Sequence, residues 1–312
     1  MPQGKTPVRL GLSLFPVAII LGSCVAPSVA STPRDAAPAP RAAAPQPAPR
    51  PAPAPPPVSI SLEPGAVFEQ GALVRGRIAP AGGALTLDGE ALATAPDGRF
   101  IIGLDRDATG TRTLRLNPRD GRPPVEQQLT VVARSWSIQN IDAPLRGAAR
   151  SDAEFDRRRP GELAQMAQAR AREVTSDGWQ QSFRWPVAGR ISGVFGSQRV
   201  YRGTPSSFHN GVDIAVPTGT PYVAPADGVV ILAASEPFTL EGYLLMIDHG
   251  NGLSSVFLHS SRLDVHTGDV VRQGQQLGAV GMTGRATGPH LHWAMRWRGA
   301  KIDAQRLAGP MR

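Results

Sequence analysis

At 312 residues, with 31 prolines and 34 glycines, the chain is long enough for two modest domains plus connectors. Its formal net charge of +8 points to an anionic setting such as a cell-wall polymer or lipid headgroups. No nucleic-acid motif accompanies that charge, which argues against nucleic acid as the partner, and a single cysteine excludes an internal disulfide.

Residues 1–30 read as a secretory signal. Lys5 and Arg9 supply the positive start, and Leu10 to Leu21 form an apolar stretch too short to span a membrane comfortably. Two processing sites compete. Leu21-Gly22-Ser23-Cys24 resembles a bacterial lipobox, which would place lipid on Cys24, whereas Ser28-Val29-Ala30 would release a soluble protein. The lone cysteine favours the lipobox, because an exported protein rarely keeps one unused thiol. Residues 31–57 are almost entirely Ala and Pro. Such a tract cannot bury a core and favours extended polyproline II, a linker able to tether a domain away from a membrane surface.

Residues 58–133 are expected to form a β-sandwich domain. Val58, Ile60 and Leu62 alternate, as do Leu114 with Leu116 and Leu129 with Val131. Asp88-Gly89, Asp97-Gly98 and Asp120-Gly121 mark turns between short strands. This stretch has no His and no Cys, so a spacer or a surface for an envelope protein partner is its expected role. Residues 134–182 read as a connector with one helix. Pro160 should stand near the helix start, Leu163, Met166, Ala169 and Val174 should form its apolar face, and Asp177-Gly178 should end it. This segment either joins domains or packs over a cleft and regulates access.

Residues 183–312 are strands and turns. Val229–Leu232, Tyr243–Ile247, Leu253–Leu258 and Leu291–Trp297 are strand candidates, and Asp248-His-Gly-Asn-Gly is a hairpin turn. The fold class expected is mainly β, with an antiparallel sheet in the C-terminal domain.

All six histidines lie between 209 and 292, and four of them fall with one aspartate into three clusters: His209-Asn-Gly-Val-Asp213, Phe257-Leu-His259 and His290-Leu-His292. Imidazole and carboxylate are ligands that Zn²⁺ favours. Two histidines one residue apart on a strand share a face. A catalytic zinc takes three protein ligands and keeps one position open, and His209, Asp213 and His292 can supply the three. Gly211 would permit a bent backbone between the first two. The helical His-Glu-x-x-His arrangement is missing, so a base must come from elsewhere, and His259 and His290 are the spare imidazoles. His249 in a Gly-rich turn and His266 beside another turn are expected to face solvent. Tyr201 could donate to an oxyanion or cap a cleft wall. Trp293 and Trp297 should face away from His290 and His292 as packing residues. Gly281, Gly284 and Gly288 should form a cleft-wall loop.

Taken together, His-x-x-x-Asp, an isolated His about fifty residues on and Gly-Pro-His-Leu-His resemble the lysostaphin-type (LytM-like) zinc endopeptidases that cut peptidoglycan. The likeness runs over roughly 186–304 and takes in Gly-Val-Asp-Ile-Ala, Ala-Asp-Gly-Val-Val and Gly-Asp-Val-Val-Arg-Gln-Gly-Gln-Gln-Leu-Gly. It implies one zinc held by His209, Asp213 and His292. It implies that His259 and His290 orient or deprotonate water and stabilise the oxyanion, in either order. The implied activity is hydrolysis of peptide cross-links of peptidoglycan by an exported, periplasmic, lipid-anchored protein. The bond cut is either D-Ala to diaminopimelate or glycyl. Some relatives have lost ligands and only bind the wall or activate other hydrolases, which is the alternative reading; here all five matching positions are intact.

Overall fold

Alternation of apolar and polar residues, broken in β5 where Phe100, Ile101 and Ile102 are all buried, marks the first seven strands: β1 (Ser59–Leu62), β2 (Leu73–Ala79), β3 (Ala84–Leu87), β4 (Glu90–Leu92), β5 (Arg99–Gly103), β6 (Thr111–Asn117) and β7 (Val125–Thr130). The computed structural model describes residues 55–143 and 153–311. The signal, the lipobox with Cys24 and nearly all of the Ala/Pro linker lie outside the described residues.

Strands β1-β2-β5 form one antiparallel sheet and β4-β3-β6-β7 another. Val74, Ile78, Phe100 and Ile102 from the first sheet and Leu85, Leu114 and Leu116 from the second are buried in one apolar core, as alternation on two facing sheets requires. Asp88-Gly89, Asp97-Gly98 and Asp120-Gly121 occupy the turns that follow β3, β4 and β6.

The next segment holds β8 (Ile138–Ile141) and α1 (Ala153–Arg170). Three expectations need correction here, the first being the helix end, which is Arg170 and not Asp177-Gly178, so that Val174 lies outside the helix. The helix contains Pro160 in its interior, and its buried residues are Glu162, Met166 and Ala169, while Leu163 is exposed. A proline there forfeits one i to i−4 bond, and tertiary contacts outweigh that loss. Met166 and Ala169 pack with Ile231, Leu244, Met246 and Ala294. Glu162 is buried because its carboxylate accepts the Thr239 N–H and hydroxyl, both at 2.7 Å.

After a 3-10 turn at Gly178–Gln180 come β9 (Arg190–Gly193), β10 (Gln198–Tyr201), β11 (Thr204–Pro205), β12 (Val212–Ala215), β13 (Pro221–Val223), β14 (Gly228–Ala233), β15 (Tyr243–Asp248), β16 (Leu253–Ser260), β17 (Arg262–Leu263), β18 (Val270–Val271), β19 (Gln276–Ala279), β20 (Leu291–Trp297), β21 (Ala300–Ile302) and the short α2 (Ala304–Ala308). An eight-stranded antiparallel sheet runs β18-β14-β15-β16-β20-β12-β9, with β21 on β20. A small sheet, β13-β19-β17, accompanies it, and β8 pairs in parallel with β10 of the β10/β11 hairpin. The molecule is mainly β, with an antiparallel C-terminal sheet, as the strand periodicity implies.

Odd-numbered residues of β20 face a core: Trp293 is fully buried against Trp185, and Trp297 is 6% exposed. Trp297 and Ile302 meet Gly103 of β5 so closely that a Cβ there would lie 2.6 Å from the Trp297 side chain. The sandwich core and the C-terminal core are therefore continuous. Even-numbered residues of β20 face the other way, and His292 is one of them.

Candidate active site

Strand pairing brings two acid–base residues side by side. Asp213 on β12 is the direct cross-strand partner of His292 on β20, and His292 in turn pairs with Leu258 of β16. Opposed residues in an antiparallel pair carry their side chains on one face. The register shifts just after Asp213 in its pairing with β9, a bulge that bends the strand where the carboxylate turns inward. Gly193, opposite, leaves the room: a Cβ there would stand 2.4 Å from Asp213 Oδ2.

His209 is on no strand. It reaches the same point from the loop after β11, held by its Nδ1–H donating to the Val194 carbonyl at 3.1 Å. His209 Nε2 then lies 3.1 Å from Asp213 Oδ1 and 3.2 Å from His292 Nδ1, and His292 Nδ1 lies 2.8 Å from Asp213 Oδ1. Gly211 stands at a bend, as expected, and is also required for a second reason. Its backbone is not left-handed; a Cβ would instead fall 2.6 Å from the Trp293 carbonyl and 2.7 Å from His292 Nε2, so close packing demands glycine.

The three donor atoms fit a metal. Tetrahedral zinc with ligands at about 2.0–2.1 Å has ligand–ligand edges of roughly 3.3 Å. The triangle of 2.8, 3.1 and 3.2 Å is close to that size. Among the described residues this is the group of His, Cys, Asp or Glu whose ligand atoms converge in this way. The electrostatics agree with a cation site. Burial would raise the Asp213 pKa, but bonds from His209 and His292 hold it far below the usual carboxylate range. Burial would lower His209, yet the bond and charge of Asp213 raise it overall. For His292 burial wins and the pKa falls, with only partial compensation from Asp213. His292 Nε2 is buried without a hydrogen-bond partner, so this ring's side-chain contacts, with Asp213 and His209, are made through Nδ1.

The two remaining imidazoles approach the triangle from β16 and from the residue before β20. His259 sits on a bulge, where Tyr243 pairs Ser260 but Leu245 pairs Phe257, and its φ is +66°. That left-handed backbone costs a non-glycine residue energy and here re-aims the side chain. His259 Nδ1–H donates to the Thr283 carbonyl at 2.9 Å, and His290 Nδ1–H donates to the Gly288 carbonyl at 2.8 Å. Both acceptors belong to the glycine-rich loop before His290, which thus fixes both rings and leaves each Nε2 as a lone-pair acceptor. The rings stand 4.8 Å apart, and His290 Nε2 is 3.7 Å from Asp213 Oδ1. Burial, with smaller repulsion from His290 and His292, pushes His259 down to about 4, so it is neutral at pH 7.

The structure brings His209, Asp213, His259, His290 and His292 together. A cleft of roughly 520 Å³ opens beside His209 and Asp213, with Tyr201, Gln198 and Arg199 of β10 and Gln139 of β8 in its walls. His266 is exposed, as expected. His249 is not: it is fully buried, bonded through Nδ1 to the Asp227 carbonyl and through Nε2 to Ser255 Oγ, both at 2.7 Å. Its turn is partly covered, with Gly250 packed against Ser176 and Trp179, and the ring points inward against Phe183. Sequence reasoning missed the carbonyls of Val194, Thr283 and Gly288 as ring holders; backbone acceptors leave no mark in residue identity.

The profile of peptidase family M23 matches residues 207–304. Peptidoglycan DD-endopeptidase ShyA of Vibrio cholerae is 40% identical over 143 residues, which are 45% of this chain and 33% of ShyA. DD-carboxypeptidase/endopeptidase Mpg of Neisseria meningitidis is 39% identical over 125 residues, 39% of this chain and 27% of Mpg. The chain thus spans about a third of these relatives' length or less. A crystal structure of a candidate peptidase M23 from Pseudomonas aeruginosa superposes with a TM-score of 0.59 at 28% identity, covering 78% of this chain and 96% of that one. That coverage is more than residues 183–312 could supply, so the shared fold takes in the β-sandwich. Residues 207–304, with the His-x-x-x-Asp and His-x-His motifs inside them, thus form a domain that matches peptidase family M23.

Proposed function

We propose that the chain is a zinc metalloendopeptidase that hydrolyses peptide cross-links of peptidoglycan. The observation that carries the reading is the triangle of His209 Nε2, Asp213 Oδ1 and His292 Nδ1, flanked by two imidazoles with free Nε2 lone pairs. A tight donor triangle without such flanking groups would suit a structural ion equally well.

In this reading His209, Asp213 and His292 hold the ion. Zinc bound there would polarise the scissile carbonyl and bring the pKa of a coordinated water toward 7. His290, whose Nε2 is 3.7 Å from Asp213 Oδ1, takes the proton from the attacking water. His259, kept neutral by burial, orients that water through its Nε2 and resists carrying a charge itself. The Thr283 and Gly288 carbonyls hold both tautomers with Nδ1 protonated, the form in which Nε2 can accept. Tyr201, in the cleft wall, supports the extended substrate.

The substrate class follows from the relatives named as peptidoglycan DD-endopeptidases. Of the two bonds the family resemblance allows, we favour D-Ala to diaminopimelate on that ground. The lipobox at Cys24 and the linker 31–57 complete the reading as an exported, periplasmic, lipid-anchored protein. Extended at about 3.1 Å per residue, the linker reaches on the order of 80 Å, enough to carry the catalytic unit from membrane to wall.

The test is digestion of purified peptidoglycan, with products read by mass spectrometry, for the mature protein alone, with chelator, with chelator and restored zinc, and as His292→Ala. Cross-links cleaved only when zinc is available and His292 is present would support the proposal and name the bond. Intact cross-links after incubation with zinc-loaded protein would refute it.

A further inference from the structure

His209 is the weakly supported member of the ligand triangle. Asp213 and His292 stand on paired strands of the large sheet, whereas His209 lies in an irregular loop. Its position depends on the neighbouring segment 194–198. The Val194 carbonyl accepts from the ring, the Gly196 N–H donates to the His209 carbonyl at 2.8 Å, and the His209 N–H donates to the Ser197 carbonyl at 2.8 Å. Whatever holds 194–198 therefore holds His209.

What holds it comes from the β-sandwich. Arg106, in the loop between β5 and β6, is buried with its side chain 8% exposed. Its Nε and Nη2 donate to the Gly196 carbonyl at 3.2 and 3.1 Å, and Nη2 also donates to Gln198 Oε1 at 3.1 Å. The guanidinium lies 4.8 Å from the Phe208 ring centre and 5.2 Å from that of Trp136. Phe208 is the residue before His209, and its ring is also met by Lys301. Trp136 presses on Gly196, where φ is +79° and a Cβ would stand 2.1 Å from the indole. One guanidinium thus grips both stems of the His209 loop: Gly196 and Gln198 on one side, Phe208 on the other. Asp107 accepts from Nη1 at 2.6 Å and balances the charge.

We propose that Arg106 is a positioning residue for His209, so that the β-sandwich completes the metal site instead of serving as a spacer. The proposal rests on the reading that His209, Asp213 and His292 bind zinc. A buried arginine suits the task because its planar fork donates in fixed directions while its face stacks on aromatic rings, which a lysine cannot reproduce. Groups that orient metal ligands from behind are typically worth about 10- to 100-fold in metal affinity.

The experiment is zinc affinity by competition with a chromogenic chelator, on the full mature chain, well below the unfolding temperature. Cobalt substitution adds a visible absorption band that reports ligand geometry. Arg106→Ala should weaken zinc by at least about tenfold and alter the cobalt band, and Arg106→Lys should fall between it and the wild type. The control is Arg75→Ala. Arg75 also ties the sandwich to the C-terminal unit, through the Trp179 and Gln181 carbonyls, but touches nothing near His209. It should lower the unfolding temperature and leave zinc affinity within about twofold, below the smallest effect expected of an orienting group. Equal zinc affinity in wild type and Arg106→Ala, or equal losses in Arg106→Ala and Arg75→Ala, would overturn the proposal. A wild-type chain that binds no zinc would remove the metalloenzyme reading and this inference with it.

Discussion

His249 makes the molecule sensitive to mild acid. The ring is completely buried, its Nδ1–H donates to the Asp227 carbonyl, and its Nε2 accepts from Ser255. Protonation would bury a charge, and burial accordingly lowers the pKa to about 4. An unfolded histidine titrates near 6.5, so between these values the unfolded chain binds the extra proton. Stability is then fully present above about pH 6.5 and drains away as the pH falls toward 4. For one such group the loss between about pH 7 and pH 5 comes to about 2 kcal/mol. His259 is lowered to about 4 as well and adds a loss of the same sign in the metal-free protein. Urea unfolding of chelated wild type and His249→Gln, followed by tryptophan fluorescence across this range, separates the two. The variant should be less stable at neutral pH, but its stability should fall less steeply with acid, by about the 2 kcal/mol assigned to the imidazole. Parallel curves for the two proteins would refute the argument, because they would mean that His249 binds its proton equally in both states.

Other perturbations address the site and its surroundings. His292→Ala should abolish stoichiometric zinc binding, whereas His259→Ala and His290→Ala should keep zinc and lose about 10²- to 10⁴-fold in turnover, as expected when a proton-handling group is removed; metal analysis beside peptidoglycan digestion distinguishes the classes, and zinc loss in all three would contradict the separation of roles. Gly193→Ala places a methyl 2.4 Å from Asp213 Oδ2 and should weaken zinc, while Gly299→Ala, with open space around it, should not; chelator competition reads both, and identical affinities would count against the close approach. Glu162→Gln turns a buried acceptor of two 2.7 Å bonds into an amide that must present N–H₂ to a donor. It should destabilise by about 1–3 kcal/mol, and an unchanged thermal unfolding temperature would show that α1 does not depend on that carboxylate.

The strand plan of the molecule was largely legible because period-two alternation and Asp-Gly turns are local signals. Strand β20 runs over Leu291–Trp297, as the run of apolar residues after His290 indicates, and its odd tryptophans face the core. Strand β8 was not legible. Ile138–Ile141 is mostly exposed, and it is a strand because β10 offers it a parallel partner sixty residues away. The helix face was misread for a similar reason: Glu162 looks like a solvent residue until Thr239 and Arg159 supply its partners.

The five site residues were legible because metal chemistry restricts the residue types and because cross-strand pairing turns distant motifs into neighbours. What surrounds them was not. The rings of His259 and His290 are held by backbone carbonyls, and every residue except the terminal one has a carbonyl to offer. Arg106 lies in a stretch without histidine or cysteine, a hundred residues before the ligand whose loop it grips, and nothing in its local sequence separates it from the chain's other arginines. Only burial does so. An arginine that gives up water must find donors' partners and aromatic faces in return, and here both are the stems of the His209 loop. The ligand set is thus written in residue types, while its rigidity comes from a domain that the ligand motifs never mention.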